Sequence, residues 1–142
     1  VVTGRQLNNV HERIVAGPLA SSSELLETLL DPETSVWPFD LRHLELDRGL
    51  EPGSTGGHGP VRYTVVEHEV GRRVRFEFTP EAPIAGWHEF VLGDVPGEGV
   101  RWRHELFVDP VDDRIREHLE PSHDELVEIL LDRVETRLGT RS

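Results

Sequence analysis

Two histidines in the stretch from Gly86 to Leu106, GWHEFVLGDVPGEGVRWRHEL, are well suited to chemistry. His88 and His104 each lie in an apolar run close to a tryptophan, and a glycine- and proline-rich turn separates the two runs. An imidazole titrates near neutral pH, so the pair suits general acid–base catalysis, and it is also a common metal ligand. The third interpretation is that the two histidines line a binding pocket. The choice among these three roles depends on the elements that surround the histidines.

The composition excludes several kinds of active site. The 142 residues contain no cysteine, and all 15 basic residues are arginine. Disulfides, thiolate nucleophiles, cysteine-ligated metals, Schiff bases and a P-loop lysine are therefore excluded. The net charge of −12 disfavours nucleic acid and anionic membranes as partners. No apolar run is long enough for membrane insertion and no signal peptide is visible, so we expect a cytoplasmic location.

The first half of the chain predicts short elements joined by loops. A strand over 8–17 precedes a short helix capped by Ser22 or Ser23, which ends at Asp31-Pro32. A second short helix or turn follows near 34–39. The pattern then predicts a strand over 41–50 and a flexible loop over 51–60.

The second half predicts an antiparallel meander and a long helix. Four strands with short turns follow Val61, and such a meander must be antiparallel. After a turn or short helix in 109–121, Pro121 opens a helix through Leu138, with Ser122 and Glu125 as its capping box. Its apolar stripe predicts burial against one sheet face. We therefore expect a single α+β domain over residues 1–142.

Pairing the strands across their turns predicts the inward face. Tyr63 falls opposite Phe78 and Val65 opposite Phe76. Continuing in register places Phe78 near His88, Phe76 near Phe90, Phe90 near Trp102 and His88 near His104. The predicted inward face is Tyr63, Val65, Val74, Phe76, Phe78, His88, Phe90, Leu92, Val100, Trp102, His104 and Leu106. Trp87 falls on the outward face, where it could mark a dimer patch.

Several segments together resemble one protein superfamily. They are DRGLEPGSTGGHGPVRYTV, GWHEF, RWRHEL and, above all, PSHDELVEILLDRVETRLG. With the order of elements, they resemble the START-like (SRPBCC) superfamily and its polyketide cyclase/dehydrase and lipid-transport branch. The resemblance implies a helix-grip fold, in which a curved antiparallel sheet wraps a long C-terminal helix around a cavity. The charged, proline-containing segment 109–121 departs from the pattern.

The resemblance implies binding of a small lipid-like or polyketide-like molecule. Some members catalyse cyclisation, aromatisation or dehydration, so the alternative is an enzyme with His88 and His104 as acid–base groups. We expect no cofactor, a small apolar ligand as partner, and a monomer or homodimer. The predicted ligand-binding residues are Tyr63, Val65, Phe76, Phe78, His88, Phe90, Trp102, His104 and Leu106 on the sheet, with Val127, Leu130, Leu131 and Val134 on the helix.

The remaining polar residues have simpler interpretations. A zinc site at the two histidines needs a third ligand, for which only His123 or Glu67 offers itself, so pocket-lining histidines are favoured over a metal. Glu67 lies on the inward parity, at a solvated strand end. Asp124 suits the dipole of the first helical turn, and His123 is expected to pack near the cap.

Overall fold

The computed structural model describes residues 5–33, 36–38, 44–58, 61–82 and 84–138. Its elements form an antiparallel sheet with one short and one long helix. The elements, in chain order, are β1 (Arg5–Val15), α1 (Leu19–Glu27), β2 (Leu44–Leu46), β3 (Thr55–His58), β4 (Val61–Glu69), β5 (Arg73–Phe78), β6 (Gly86–Val95), β7 (Gly99–Val111) and α2 (Asp113–Leu138). The seven strands are ordered β1-β7-β6-β5-β4-β3-β2. This is the predicted α+β, helix-grip architecture.

The first helix begins earlier than its serines predicted. It starts at Leu19, after Pro18, and ends at Glu27. Ser22 does not cap it, because its hydroxyl is buried and accepts a hydrogen bond from Trp102 Nε1 at 3.0 Å. The second short helix was predicted near 34–39; Thr34, Ser35 and Phe39 lie outside the described residues.

The glycine-rich segment 51–60 was predicted to be a loop, and this was wrong in part. Residues Thr55–His58 form β3, which pairs with β4 on one side and β2 on the other. Glycine permits this pairing, because a Cβ on Gly56 would meet the Glu45 carbonyl oxygen at 1.9 Å. The sheet therefore continues two strands beyond the meander.

The meander has the predicted faces but a different register. Tyr63 lies opposite Phe78, as predicted. However, His88 pairs with Phe76 and with Leu106, and Phe90 pairs with His104. The predicted β6–β7 pairs were offset by two residues because the turn between Val95 and Gly99 is tighter than assumed. The β5–β6 pairs were also offset by two residues. A shift of two residues keeps each side chain on its face, since the side-chain period is two.

An irregularity in β4 overturns the predicted inward parity of Glu67, while its exposure agrees with the predicted solvated strand end. The register with β5 shifts between Val65 and Glu67, so the alternation of faces is interrupted there. Glu67 is exposed and forms an ion pair with Arg73, which lies on the outward face. It is therefore remote from the inward histidines.

The long helix begins eight residues before the predicted start. Strand β7 continues to Val111, and α2 starts at Asp113, with Asp112 Oδ1 accepting a hydrogen bond from the Ile115 amide at 2.8 Å. Pro121 lies inside the helix. Proline removes one helical hydrogen bond, but the preceding turns still bury Ile115 and Leu119 against a cluster on β1 and β7. Ser122 and Glu125 therefore form no capping box.

Most of the inward face belongs to one hydrophobic core. It joins α1, the sheet and the C-terminal half of α2. A smaller cluster lies near the start of α2. Among the described residues, no helix is both long and apolar enough to cross a membrane.

Candidate ligand-binding site

A cavity of about 370 Å³ lies between the sheet and the middle of α2. Its volume is within the range of small-molecule sites. The wall is formed by Trp37, His58, Val61, Phe78, Ile84, His88, Phe90, His104, Leu106, Leu119, Ser122, His123, Leu126, Val127 and Leu130. Most of these side chains are apolar, and the polar ones are four histidines and Ser122.

The predicted site residues divide between the cavity wall and the core. Those on the wall are Phe78, His88, Phe90, His104, Leu106, Val127 and Leu130. Those packed in the core instead are Tyr63, Val65, Phe76, Trp102, Leu131 and Val134. Tyr63 is 1% exposed and lies edge-on to Phe76. Parity predicted the face correctly, but it could not predict which part of that face is covered.

Other wall residues were not predicted. Ser122 and His123 were assigned to a helix cap, but they lie in the middle of α2 because the helix starts earlier. Trp37 and His58 come from segments without a clear pattern, and their rings are 5.3 Å apart. The alternation in β1 is the signal that was overlooked: Asn9, His11 and Arg13 face α2.

Three histidines form a connected row along the cavity wall, here called the histidine row: His88, His104 and His123. His104 Nε2 lies 3.4 Å from His88 Nδ1, and His104 Nδ1 lies 3.1 Å from His123 Nε2. His88 and His104 are diagonal neighbours on β6 and β7, and His123 reaches them from α2. The row therefore joins two strands to the helix through imidazoles alone.

Burial lowers the pKa of every imidazole in the row. Loss of hydration disfavours the charged form. It lowers the pKa of His88 and His104 well below the ordinary 6.5, and neighbouring imidazoles add to the effect. The pKa of His123 falls to about 4, first through burial and then through His11, while Asp124 opposes the shift. The three imidazoles are neutral at pH 7.

A polar cluster connects the row to the surface. Asn9 Oδ1 lies 2.8 Å from His123 Nδ1, and Asn9 Nδ2 donates to Asp124 Oδ1 at 2.9 Å. His11 Nε2 lies 2.8 Å from the same carboxylate oxygen, and its Nδ1 lies 2.7 Å from Glu128 Oε2. Burial opposes ionisation of Asp124, but the hydrogen bonds from Asn9 and His11 outweigh it and lower its pKa.

One group of side chains in the described residues has donor atoms close enough for a metal ion. His11, His123 and Asp124 place one such atom each within 4.8 Å of one another. Every one of these side chains already has a hydrogen-bond partner in the cluster. Hydrogen bonding accounts for their proximity. At His88 and His104 a pocket-lining role was favoured over a metal. Of the two candidate third ligands, His123 lies beside His104, whereas Glu67 pairs with Arg73 on the other face.

The fold and the cavity define a helix-grip protein with an internal, mostly apolar chamber. No protein-family model and no curated protein sequence matches the chain. Solved structures with the same fold do match. DynU16, described as a protein in the dynemicin biosynthetic locus, is 15% identical with a TM-score of 0.66, over 95% of this chain and 49% of DynU16. This chain therefore spans about half of DynU16.

Two further structures show the same likeness. CalU16 from Micromonospora echinospora is 17% identical with a TM-score of 0.56, over 94% of this chain and 86% of CalU16. Aha1 from Colwellia psychrerythraea, a dimer in solution, is 14% identical with a TM-score of 0.66, over 96% of this chain and 99% of Aha1. At such identities the likeness shows a shared fold.

Proposed function

We propose that this protein binds a small apolar or aromatic molecule in the cavity between the sheet and α2. The observation that carries the proposal is the cavity itself, about 370 Å³ in volume and lined by aromatic and aliphatic side chains. Burying the surface of an apolar ligand there is favourable, at roughly 25 cal/mol per Å². The shared fold with a protein of the dynemicin biosynthetic locus supports a small-molecule ligand.

The test is a calorimetric titration with 2-methoxynaphthalene, an apolar two-ring probe. We expect a dissociation constant below about 1 mM for a ligand of this size. In Leu126→Trp an indole enters the cavity, since Leu126 lies on its wall, and binding should weaken at least about tenfold. The matched control is Val10→Trp, on the exposed outer face of β1. Lack of binding by the wild type, or equal binding by Leu126→Trp, would contradict the proposal.

A second candidate function is enzymatic, with the histidine row as its acid–base group. It is favoured by His88 Nε2, which is buried and has no hydrogen-bond partner in the described part of the chain. A neutral imidazole beside a bound ketone is suited to taking a proton from the carbon next to the carbonyl. Such a step belongs to cyclase- or dehydratase-type chemistry on polyketide-like substrates.

The enzymatic candidate is tested by deuterium exchange into 2-tetralone, followed by proton NMR. The wild type should accelerate exchange at the carbon next to the carbonyl. The double variant His88→Ala/His104→Ala should lose the acceleration while its circular dichroism stays native. Exchange no faster than in buffer would remove this candidate and leave the binding function untouched.

A further inference from the structure

The tautomer of every imidazole in the histidine row follows from one ionised carboxylate. Asp124 accepts hydrogen bonds and has no proton to donate, because its pKa is lowered. The Asn9 atom at 2.9 Å from it must therefore be the NH₂ group. This fixes the orientation of the Asn9 side chain, whose oxygen then faces His123.

The amide of Asn9 determines the tautomer of His123, the first histidine of the row. Its oxygen is an acceptor, so the His123 Nδ1 atom 2.8 Å away must carry a proton and donate it. A neutral imidazole has one proton, and burial keeps His123 neutral at pH 7. His123 Nε2 is therefore unprotonated and accepts.

The proton positions of the other two histidines follow from that of His123. His123 Nε2 accepts, so His104 Nδ1 donates to it across 3.1 Å. His104 is neutral as well, which leaves its Nε2 as an acceptor for His88 Nδ1–H at 3.4 Å. The His88 proton is thereby placed on Nδ1. His88 Nε2 is left with a lone pair and no proton.

The rest of the His88 ring is enclosed by the protein. Phe76 stacks on it with ring centroids 4.7 Å apart, and Tyr63 meets it edge-on at the same distance. His88 is 7% exposed, and its Nε2 has no hydrogen-bond partner in the described residues. His88 also belongs to the cavity wall. Its Nε2 atom is itself covered, so a ligand reaches it by displacing a side chain that lines the cavity. A buried acceptor without a donor is unfavourable, so a ligand that donates to it gains affinity.

We propose that the cavity selects aromatic ligands that carry a hydroxyl or phenol group, because His88 Nε2 accepts the ligand's hydrogen. Asp124 imposes this preference through Asn9, His123 and His104, so Asn9 is a positioning residue. This inference rests on the proposed binding function and narrows its ligand class. An ether or a ketone of the same shape has no hydrogen to donate, so it leaves the lone pair unsatisfied.

The experiment compares 2-naphthol with 2-methoxynaphthalene by calorimetry at pH 7, with EDTA present to keep the histidines free of metal. The wild type should bind 2-naphthol at least about tenfold more tightly, the factor expected of one hydrogen bond to a buried acceptor. His88→Phe should bind the two probes with equal affinity. Circular dichroism and urea unfolding show whether the variant is folded.

Asn9→Ala tests the positioning role. Without the amide oxygen, His123 is free to exchange tautomers, so the preference for 2-naphthol should fall while 2-methoxynaphthalene binds as before. Nitrogen-15 NMR should show an unprotonated Nε2 on His88 in the wild type and a tautomer mixture in Asn9→Ala. The matched control is Asn8→Ala, because Asn8 bonds Glu105 at the other face of β1.

The outcomes separate the two proposals. If neither probe binds the wild type, the binding function itself fails. If both probes bind with equal affinity, or if His88 Nε2 carries the proton, the tautomer inference is overturned and the binding function stands. An unchanged preference in Asn9→Ala overturns the role of Asn9.

Discussion

The two ends of the groove between the sheet and α2 are filled differently. Under the C-terminal half of the helix, Leu131 and Val134 pack with Trp102, and none of the three is more than 1% exposed. Nearer the helix middle, around Leu126, the same groove holds the cavity. Helix α1 makes the difference, because it packs against β6, β7 and α2, and Ser22 binds the Trp102 indole.

The two ends also differ in how α2 is held to β1. At the filled end, Arg13 bonds Glu128 at 2.7 Å and Glu135 at 2.8 Å, and it also bonds Asp132. At the cavity end, the contacts come from Asn9 and His11 and lead inward to the histidine row. One end is closed by packing and charge, while at the other the Asp124 carboxylate is joined through Asn9 to neutral imidazoles. The comparison shows how one continuous face provides both a stable core and a binding chamber.

The largest expected effect is a loss of stability in acid, caused by the cavity end. On unfolding, each imidazole of the row returns to a pKa of about 6.5. Below that pH the unfolded chain binds protons that the folded chain excludes, so stability falls as the pH drops from 7 to 5. Each depressed imidazole contributes about 2 kcal/mol over this interval, or roughly 6 kcal/mol at most for three. Urea unfolding at pH 7, 6 and 5 measures it.

A variant that lacks one imidazole tests whether the histidine row causes this loss of stability in acid. His104→Phe removes one buried imidazole, and the fall in stability between pH 7 and 5 should shrink by about 2 kcal/mol. His118→Gln, at an exposed position of α2, serves as the control and should leave the pH dependence as it was. A wild type equally stable at both pH values would show that the imidazoles are not desolvated.

The next expected effect is a difference in the stability lost when a leucine of α2 is truncated at the filled end or at the cavity. Leu131→Ala at the filled end should lower the unfolding free energy by about 2–5 kcal/mol, as expected for a fully buried leucine. Leu126→Ala at the cavity wall should cost less than about 1 kcal/mol, because the removed atoms border existing space. Urea denaturation of both variants measures the difference. Equal losses would mean that Leu126 is packed as tightly as Leu131 in the wild type, with no open cavity beside it.

The smallest effect concerns the charged contact at the filled end. Arg13→Met should cost roughly 1 kcal/mol, because three carboxylates of α2 lose a shared partner. The loss should diminish in 1 M salt, which screens the remaining charges. Arg101→Met is the matched control: Arg101 is 46% exposed and faces Glu12 at 3.5 Å. Thermal unfolding at two salt concentrations distinguishes them, and an identical loss in both variants would contradict the prediction.

The sequence alone predicted which face of the sheet most strand side chains point to, but it did not predict which residues of β5, β6 and β7 lie opposite one another. Alternation in β5, β6 and β7 placed Phe76, His88 and Trp102 inward, because a strand has a period of two. The β4–β5 neighbours were correct, but those between β5 and β6 and between β6 and β7 were wrong, since a slip of two residues leaves every face unchanged. The contact between His88 and His104 followed even so, because diagonal neighbours remain within reach.

The cavity itself could not be predicted, for a related reason. Trp102 and His104 are successive inward residues of β7, and nothing in their types shows that one packs in the core while the other borders open space. Packing of α1 decides it. The early start of α2 was also missed, because Pro121 with Ser122 imitates a helix N-terminus, and this placed His123 at a cap.

By itself, the sequence determined the fold class, the two-sided pattern of the sheet, the apolar stripe of the last helix and the absence of cysteine and lysine chemistry. Those features are local, since they depend on period and composition. The tertiary structure decided which histidines meet, that Asn9 and Asp124 join them, and where the groove stays open. These depend on register and on contacts between β1 and α2, more than a hundred residues apart in the chain, which no local pattern encodes.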